Sequence, residues 1–308
     1  MNEKMKGTLL TLIAGIAWGL SGVSGQFVMA RGVNVETLTA LRLVISGVLL
    51  VALAAVQNPQ QLKQLLMDKK AMIRLLLFSI FGLVLNQSAY LTAIYHTNAG
   101  TATVLQYLCP ILVLAYVCLK EKQQPTAVEL IAIVFAVLGT FLIATHGQIN
   151  QLAMTPKGLF WGLFSAVTYA LYIILPTTII KQYGSLVVIG LSMFLGSLEV
   201  GLVFQPWRHT MPFNGEIFWG LVGIVGVGTV FAYTAFLKGV SMVGQVNGSL
   251  LASIEPIASV FFAVLLVNEI FYPIDFVGMI LILLAVLLVS VKDMVLARKT
   301  RNILKVKE

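Results

Sequence analysis

The stretch from Gly244 to Glu269, GQVNGSLLASIEPIASVFFAVLLVNE, constrains the chain most. It is apolar and long enough to cross a bilayer, for which about 20 residues suffice. Yet it carries an ionisable residue, Glu255, followed directly by Pro256. A carboxylate at mid-membrane costs roughly 2.5–3.5 kcal/mol on insertion scales and is rarely left facing lipid. The proline lacks an amide donor and frees the carbonyl of Ala252. A related stretch lies earlier, AGTATVLQYLCPILVLAYVCLKE from Ala99 to Glu121. Both have small residues, then a proline, then an apolar run closing on Glu, which points to an internal duplication.

The remainder fits the same environment. Only 10% of the 308 residues are charged and mean hydropathy is +0.95, whereas a soluble domain carries about 25% charged residues. Ten apolar segments are expected, at 7–28, 35–56, 71–95, 98–119, 126–145, 157–180, 185–206, 214–238, 244–268 and 273–291. The longest connection, 57–70, reads as a short amphipathic surface helix. The run from Gly7 to Val28 is too long for the core of a cleaved signal peptide and is expected to be retained. Cys109 and Cys118 stand nine residues apart in one segment, about 13 Å along a helix, too far for a disulfide. With His96, His146 and His209 scattered, no metal site and no cofactor is expected.

Sixteen of the twenty Lys and Arg fall on the side of the N-terminus and three (Arg31, Lys157, Arg208) on the other, with Arg42 inside a segment. This bias predicts both termini in the cytoplasm. It also explains the net charge of +8 as topology and contact with anionic lipid, not nucleic-acid binding. The halves align. Lys6-Gly7 matches Lys157-Gly158, Ala89-Tyr90 matches Ala232-Tyr233, and Pro110 matches Pro256. Five spans per half is an odd number, so the second half, 151–308, is expected to be inverted relative to the first, 1–150. The fold expected is therefore all-α and polytopic, with ten transmembrane helices in two inverted five-helix repeats, an architecture of transporters.

At this point the chain resembles the EamA family of the drug/metabolite transporter superfamily. The features that carry the likeness are Ala17-Trp18-Gly19, Asn98-Ala99-Gly100-Thr101-Ala102, and the paired ends Pro110…Glu121 and Pro256…Glu269. The resemblance implies a ten-helix alternating-access carrier in the cytoplasmic membrane, often an exporter of amino acids or other small metabolites. The halves are not symmetric in their site residues: Tyr169 stands opposite Trp18, and Glu255 where the first half has Cys109.

Trp18, Gln106, Cys109, Tyr169 and Glu255 fall near the midplane by residue count. Two roles are open for Glu255: a carboxylate that couples protons or binds a cation, or a permanently protonated group donating to the freed Ala252 carbonyl. Its neighbours Gly248, Ala252 and Ser259 share its face by helical spacing. Trp18 and Tyr172 are candidates for stacking on substrate. Tyr90 and Tyr233 correspond in the repeats, one toward each side, and serve either as gating aromatics or as core. Gln87, Gln106 and Asn247 offer hydrogen bonds to a polar substrate or to neighbouring helices. Arg42 and Glu199, each roughly 10 Å below the outer surface, are expected to form a buried ion pair, as a gate or a static link. Trp161, Trp207 and Trp219 are read as interface anchors.

The leading expectation is a secondary carrier exporting amino acids or related amphipathic metabolites, with protons as a candidate coupling ion. The alternative is import of a small organic cation such as a quaternary ammonium, caged by Trp18, Tyr169, Tyr172 and Glu255. No P-loop is present to couple ATP directly, and no motif of an intramembrane enzyme occurs. A homodimer is one option for assembly.

Overall fold

The computed structural model describes residues 3–122, 124–148, 152–208 and 210–306, with the side chains at 117, 120–121, 245–246, 249–250, 290 and 292–306 excepted. His209 and the side chains of the basic tail, on which the histidine and lipid readings touched, lie outside the described residues. Every regular element among the described residues is a helix. In order they are α1 (Glu3–Met29), α2 (Val35–Gln57), α3 (Pro59–Met67), α4 (Lys69–Leu77), α5 (Leu85–His96), α6 (Ala99–Gln106), α7 (Cys109–Glu121), α8 (Ala127–Thr145), α9 (Pro156–Ile174), α10 (Thr177–Tyr183), α11 (Ser185–Phe204), α12 (Gly215–Leu221), α13 (Ala232–Val243), α14 (Gln245–Ala252), α15 (Glu255–Val267) and α16 (Pro273–Val306).

Several of these join into longer runs. A π-helical stretch, Phe78–Val84, links α4 to α5, and a second, Val222–Phe231, links α12 to α13. Among the described residues eight runs are long and apolar enough to cross a bilayer, with α15 and Pro273–Val289 as shorter apolar helices. The chain is a polytopic membrane protein. The short helix expected between the second and third segments is α3, started by Pro59 and resting on the buried Leu65.

Two runs break where the sequence duplicates. In the first, eight residues of α6 and thirteen of α7 flank Tyr107 and Leu108; in the second, eight of α14 and thirteen of α15 flank Ser253 and Ile254. Each proline is the second residue of the second piece, where its missing N–H disrupts the fewest bonds. Both second pieces end in a left-handed residue, Lys122 at φ 53° and Asn268 at φ 54°. The break interrupts the expected continuous face of Gly248, Ala252, Glu255 and Ser259: Gly248 stands against Val240, while Ser259 meets Thr103.

Helix pairing sets the shape of the bundle. α2 lies along α11 at one end and α8 along α16 at the other; α1 runs between α13 and α15, and α9 packs on α5 and α6. In lipid, such pairs are held by close packing rather than by exclusion of water, which favours small residues at the contact. α8 and α16 meet glycine to glycine: a Cβ on Gly139 would stand 2.6 Å from the Gly278 carbonyl, and one on Gly278 would stand 2.7 Å from that of Gly139.

Candidate functional site

The two broken runs face each other in mid-bundle, and a cavity of about 1100 Å³ opens between them. The geometry begins at the breaks. Pro256 has no N–H to close a helical bond onto Ala252, so that carbonyl needs another donor. Tyr107, in the break of the other run, supplies it: its hydroxyl lies 3.2 Å from the Ala252 carbonyl and 3.0 Å from Oε2 of Glu255. A second tie joins the runs deeper in the bundle, where the Tyr90 hydroxyl meets Thr103 at 2.7 Å and Thr103 meets Ser259 at 3.2 Å.

Aromatic side chains form much of the wall. Trp18 meets Tyr233 edge-on at 5.4 Å and Phe236 at 5.0 Å between centroids. Tyr169 stacks with Tyr172 at 5.9 Å, and the Tyr172 and Tyr233 hydroxyls are 3.1 Å apart. On the polar wall, Gln106 and Thr168 both donate to Oδ1 of Asn86, each at 3.2 Å. Gln87 is buried with its Oε1 unpartnered.

Arg42 reaches this cavity although it is 93% buried (7% exposed). Its Nε donates to the Thr229 hydroxyl at 2.9 Å, which in turn donates to the Ile224 carbonyl five residues back, within the π stretch. The π turn therefore supplies the acceptor that orients the guanidinium; such turns recur at functional sites.

The lining runs to one end of the bundle, through Cys118, Gln124, Thr126, Ser185 and Ser241. That is the end of the α1 N-terminus, where Gly7 packs on Met242 and Val243. At the other end the helices are tied shut. Gln26 accepts from the Ala99 amide at 2.8 Å and donates to Glu269 at 2.5 Å, and Arg31 pairs with Glu216 at 2.6 Å.

Family comparison agrees with this geometry. The model of the EamA-like transporter family matches residues 5–145 and again 156–291. An uncharacterized inner membrane transporter of Salmonella typhimurium, YicL, is 34% identical over 94% of this chain and 97% of its own length. The chain belongs to the EamA-like transporter family. An uncharacterized transporter of Clostridium kluyveri is 21% identical over 86% of both chains. A solved crystal structure superposes with a TM-score of 0.61 at 18% identity, over 92% of this chain and 96% of that one, a likeness of fold alone.

Of the residues singled out from the sequence, this EamA-like transporter brings Trp18, Gln87, Tyr90, Gln106, Tyr169, Tyr172, Tyr233, Glu255 and Arg42 to one cavity. Tyr90 and Tyr233 both line it, Tyr90 against Gly22 and Tyr233 against Trp18, one turn apart along α1. Three expectations fail. Arg42 and Glu199 do not pair: Arg42 turns to Thr229, and Glu199 accepts from Ser79 at 3.0 Å with its other oxygen unpartnered. They lie on different faces of the tightly packed α2 and α11, and residue depth alone could not reveal this. Asn247 is exposed and bonds back to the Val243 carbonyl at 2.8 Å, outside the lining. It sits in the first turn of α14, and its partner is the last residue of α13, the helix just before it. The donor at the freed Ala252 carbonyl is Tyr107, not Glu255. Trp207 and Trp219 are each 70% exposed, as belt anchors would be, whereas Trp161 packs against the core.

Sequence reasoning passed over Tyr107, Asn86 and Phe236. Tyr107 left a signal: it stands three residues before Pro110, in the register that Ser253 holds before Pro256, where each proline weakens the helix.

Proposed function

We propose that this transporter is a secondary carrier of the inner (cytoplasmic) membrane that exports amino acids or related amphipathic metabolites by alternating access. The observation that carries the reading is the cavity itself. It is mid-bundle, open at one end, closed by named bonds at the other, and lined by aromatics with one cation, Arg42, one carboxylate among them, Glu255, and a second at the mouth, Glu129. The charge bias supports assigning the open end to the cytoplasm, so the conformation is inward-facing. Ten spans in two inverted repeats, 1–150 and 151–308, supply the second conformation. Exchanging the halves maps the α1–α13 contact onto that of α9 with α5, α1–α14 onto α9–α6 and α1–α15 onto α9–α7, and leaves α2–α11 and α8–α16 unchanged. A bundle with that symmetry has an outward-facing counterpart built from the same contacts.

Glu255 is the proton-coupling group of this reading. The Tyr107 hydroxyl has two acceptors in reach but a single hydrogen. An ionised Glu255 draws it, because charge-assisted bonds are the stronger, and leaves the Ala252 carbonyl unbonded. A protonated Glu255 donates to the Tyr107 oxygen and frees its hydrogen for Ala252. Proton uptake thus ties the two broken helices together. Besides Tyr107, the charged or titratable groups lining the cavity around Glu255 are Arg42, Tyr90, Cys109, Tyr169, Tyr172 and Tyr233, with Cys118 and Glu129 toward the mouth. The organic-cation alternative is the weaker reading, since Arg42 repels a lone cation from the same cavity.

Counterflow of labelled amino acids into proteoliposomes preloaded with unlabelled ones tests the function. Exchange that persists in Glu255→Gln while that variant loses the response of transport to an imposed proton gradient supports it. Exchange of quaternary amines but of no amino acid overturns it.

A further inference from the structure

The Arg42 guanidinium is incompletely used. It has five N–H donors, and among the described residues its one bond runs from Nε to Thr229. Among the same residues the ion pairs are Arg31–Glu216 and His146–Asp275, so no described carboxylate lies within 4.0 Å of Arg42. Of the carboxylates lining the cavity, Glu129 at the mouth accepts from the amide and hydroxyl of Thr126, and Glu255 accepts from Tyr107. A cation that is nine-tenths buried, with its terminal nitrogens unbonded and lining a cavity, is strongly destabilising unless something anionic completes it. Arginine presents its N–H pairs in a planar fork that matches a carboxylate in bidentate fashion. Fixing Nε on Thr229 leaves that outer edge to a ligand.

We propose that the free edge of Arg42 is the carboxylate-binding subsite of the cavity. Glu255, on the same cavity, receives the ammonium group, and the ring wall of Trp18, Tyr90 and Tyr233 receives an apolar or aromatic side chain. Arg42 is then the residue that makes the carrier reject amines lacking an acid group. This rests on the carrier reading above and deepens it.

Three ligands with the same ring test it: L-phenylalanine, 3-phenylpropanoate and 2-phenylethylamine. Each is titrated against the purified full-length protein while its thermal unfolding is followed, since a ligand of the native state raises apparent stability by mass action. The two carboxylates are expected to stabilise the wild type and the amine is not. Arg42→Gln should weaken both carboxylates about tenfold to a hundredfold, with Arg42→Lys in between. Glu255→Gln should erase only the advantage of L-phenylalanine over 3-phenylpropanoate. If the amine stabilises the wild type as well as the amino acid does, the inference is overturned without recourse to any variant. Arg42→Gln protein that still prefers the amino acid to the amine overturns it as well. Amino-acid counterflow measured on the same preparation separates the two levels: exchange with no carboxylate preference sinks Arg42 alone, and no binding with no exchange sinks the carrier reading too.

Discussion

Tyr107→Phe removes one oxygen from a residue that is only 8% exposed and keeps the ring that fills the space. What is lost is the donor 3.2 Å from the Ala252 carbonyl and 3.0 Å from Glu255. Glu255 lines the cavity and water replaces the lost bond there. The Ala252 carbonyl is 7% exposed at its residue and has no helical donor, because Pro256 stands at the fourth position. Leaving one buried acceptor unbonded costs about 1–3 kcal/mol. For a chain of this length about 1 kcal/mol moves the melting temperature by roughly 2 °C, so Tyr107→Phe should melt about 2–6 °C below wild type. The assay is fluorescence-detected unfolding in detergent at matched scan rates, with Glu255→Gln and the double variant alongside. A glutamine amide can donate to the Tyr107 oxygen as a protonated Glu255 would, which releases the tyrosine hydrogen to Ala252. Glu255→Gln alone should therefore hold or raise the melting temperature. The gain should vanish when Tyr107→Phe is also present, a coupling of about 0.5–3 kcal/mol. If Tyr107→Phe melts with the wild type within error, or if the two changes are additive, the shared-hydrogen account is wrong.

Gly47→Ala should part α2 from α11, because its Cβ would stand 2.5 Å from the Phe194 amide nitrogen and 2.7 Å from its Cα; overpacking of this kind costs about 1–3 kcal/mol, and a melt with normal stability would refute the contact. Arg42→Ala and Glu199→Ala should add in a double variant to within about 0.5 kcal/mol, since neither touches the other; a larger coupling would restore the ion pair. Gln26→Ala unties α1 from Ala99 and Glu269 at the closed end, and should speed labelling of Cys118, which lines the cavity, by an impermeant maleimide added from that side; an unchanged rate would remove Gln26 as a lock. Asp68, before α4, accepts from the Ala71 and Lys70 amides and the Tyr183 hydroxyl, and the Ala71 bond first, then that of Tyr183, hold its carboxyl below the usual range. Its stabilising contribution is thus complete above the unfolded value of about 3.9 and is lost as pH falls through the lower folded value. The gap in melting temperature between wild type and Asp68→Ala should stay constant down to about pH 4 and narrow below it, whereas a gap that widens in acid would reverse the assignment.

How far the sequence reaches here depends on whether a feature is local or paired. The spans were legible because length and apolarity are local properties: α2 and α8 match the expected segments to within a residue or so. The breaks were legible only in part: each proline marks a freed carbonyl, but the runs 98–119 and 244–268 read as continuous segments, since a proline can kink a helix without breaking it. A buried polar group is different. Its cost can be read from its own segment, but its partner is chosen by rotation and register against another helix. Arg42 shows the consequence. Depth and repeat position marked it as buried and pointed to Glu199, yet the helix rotation that settles the matter turns it to Thr229, in a π turn that no composition signals. Tyr107 shows the converse. Nothing in its own segment asked for a hydroxyl there; the demand came from Pro256, 149 residues later in the chain. The same reasoning explains why the site is asymmetric although the family model matches both halves of the chain. The break at Pro256 takes its donor from the break at Pro110, and it alone carries a carboxylate, so one tyrosine lies against both the freed carbonyl and Glu255. The family model matches both halves, yet the cavity residues differ between them, at Trp18 and Tyr169 and at Cys109 and Glu255, and the carboxylate stands on one side alone.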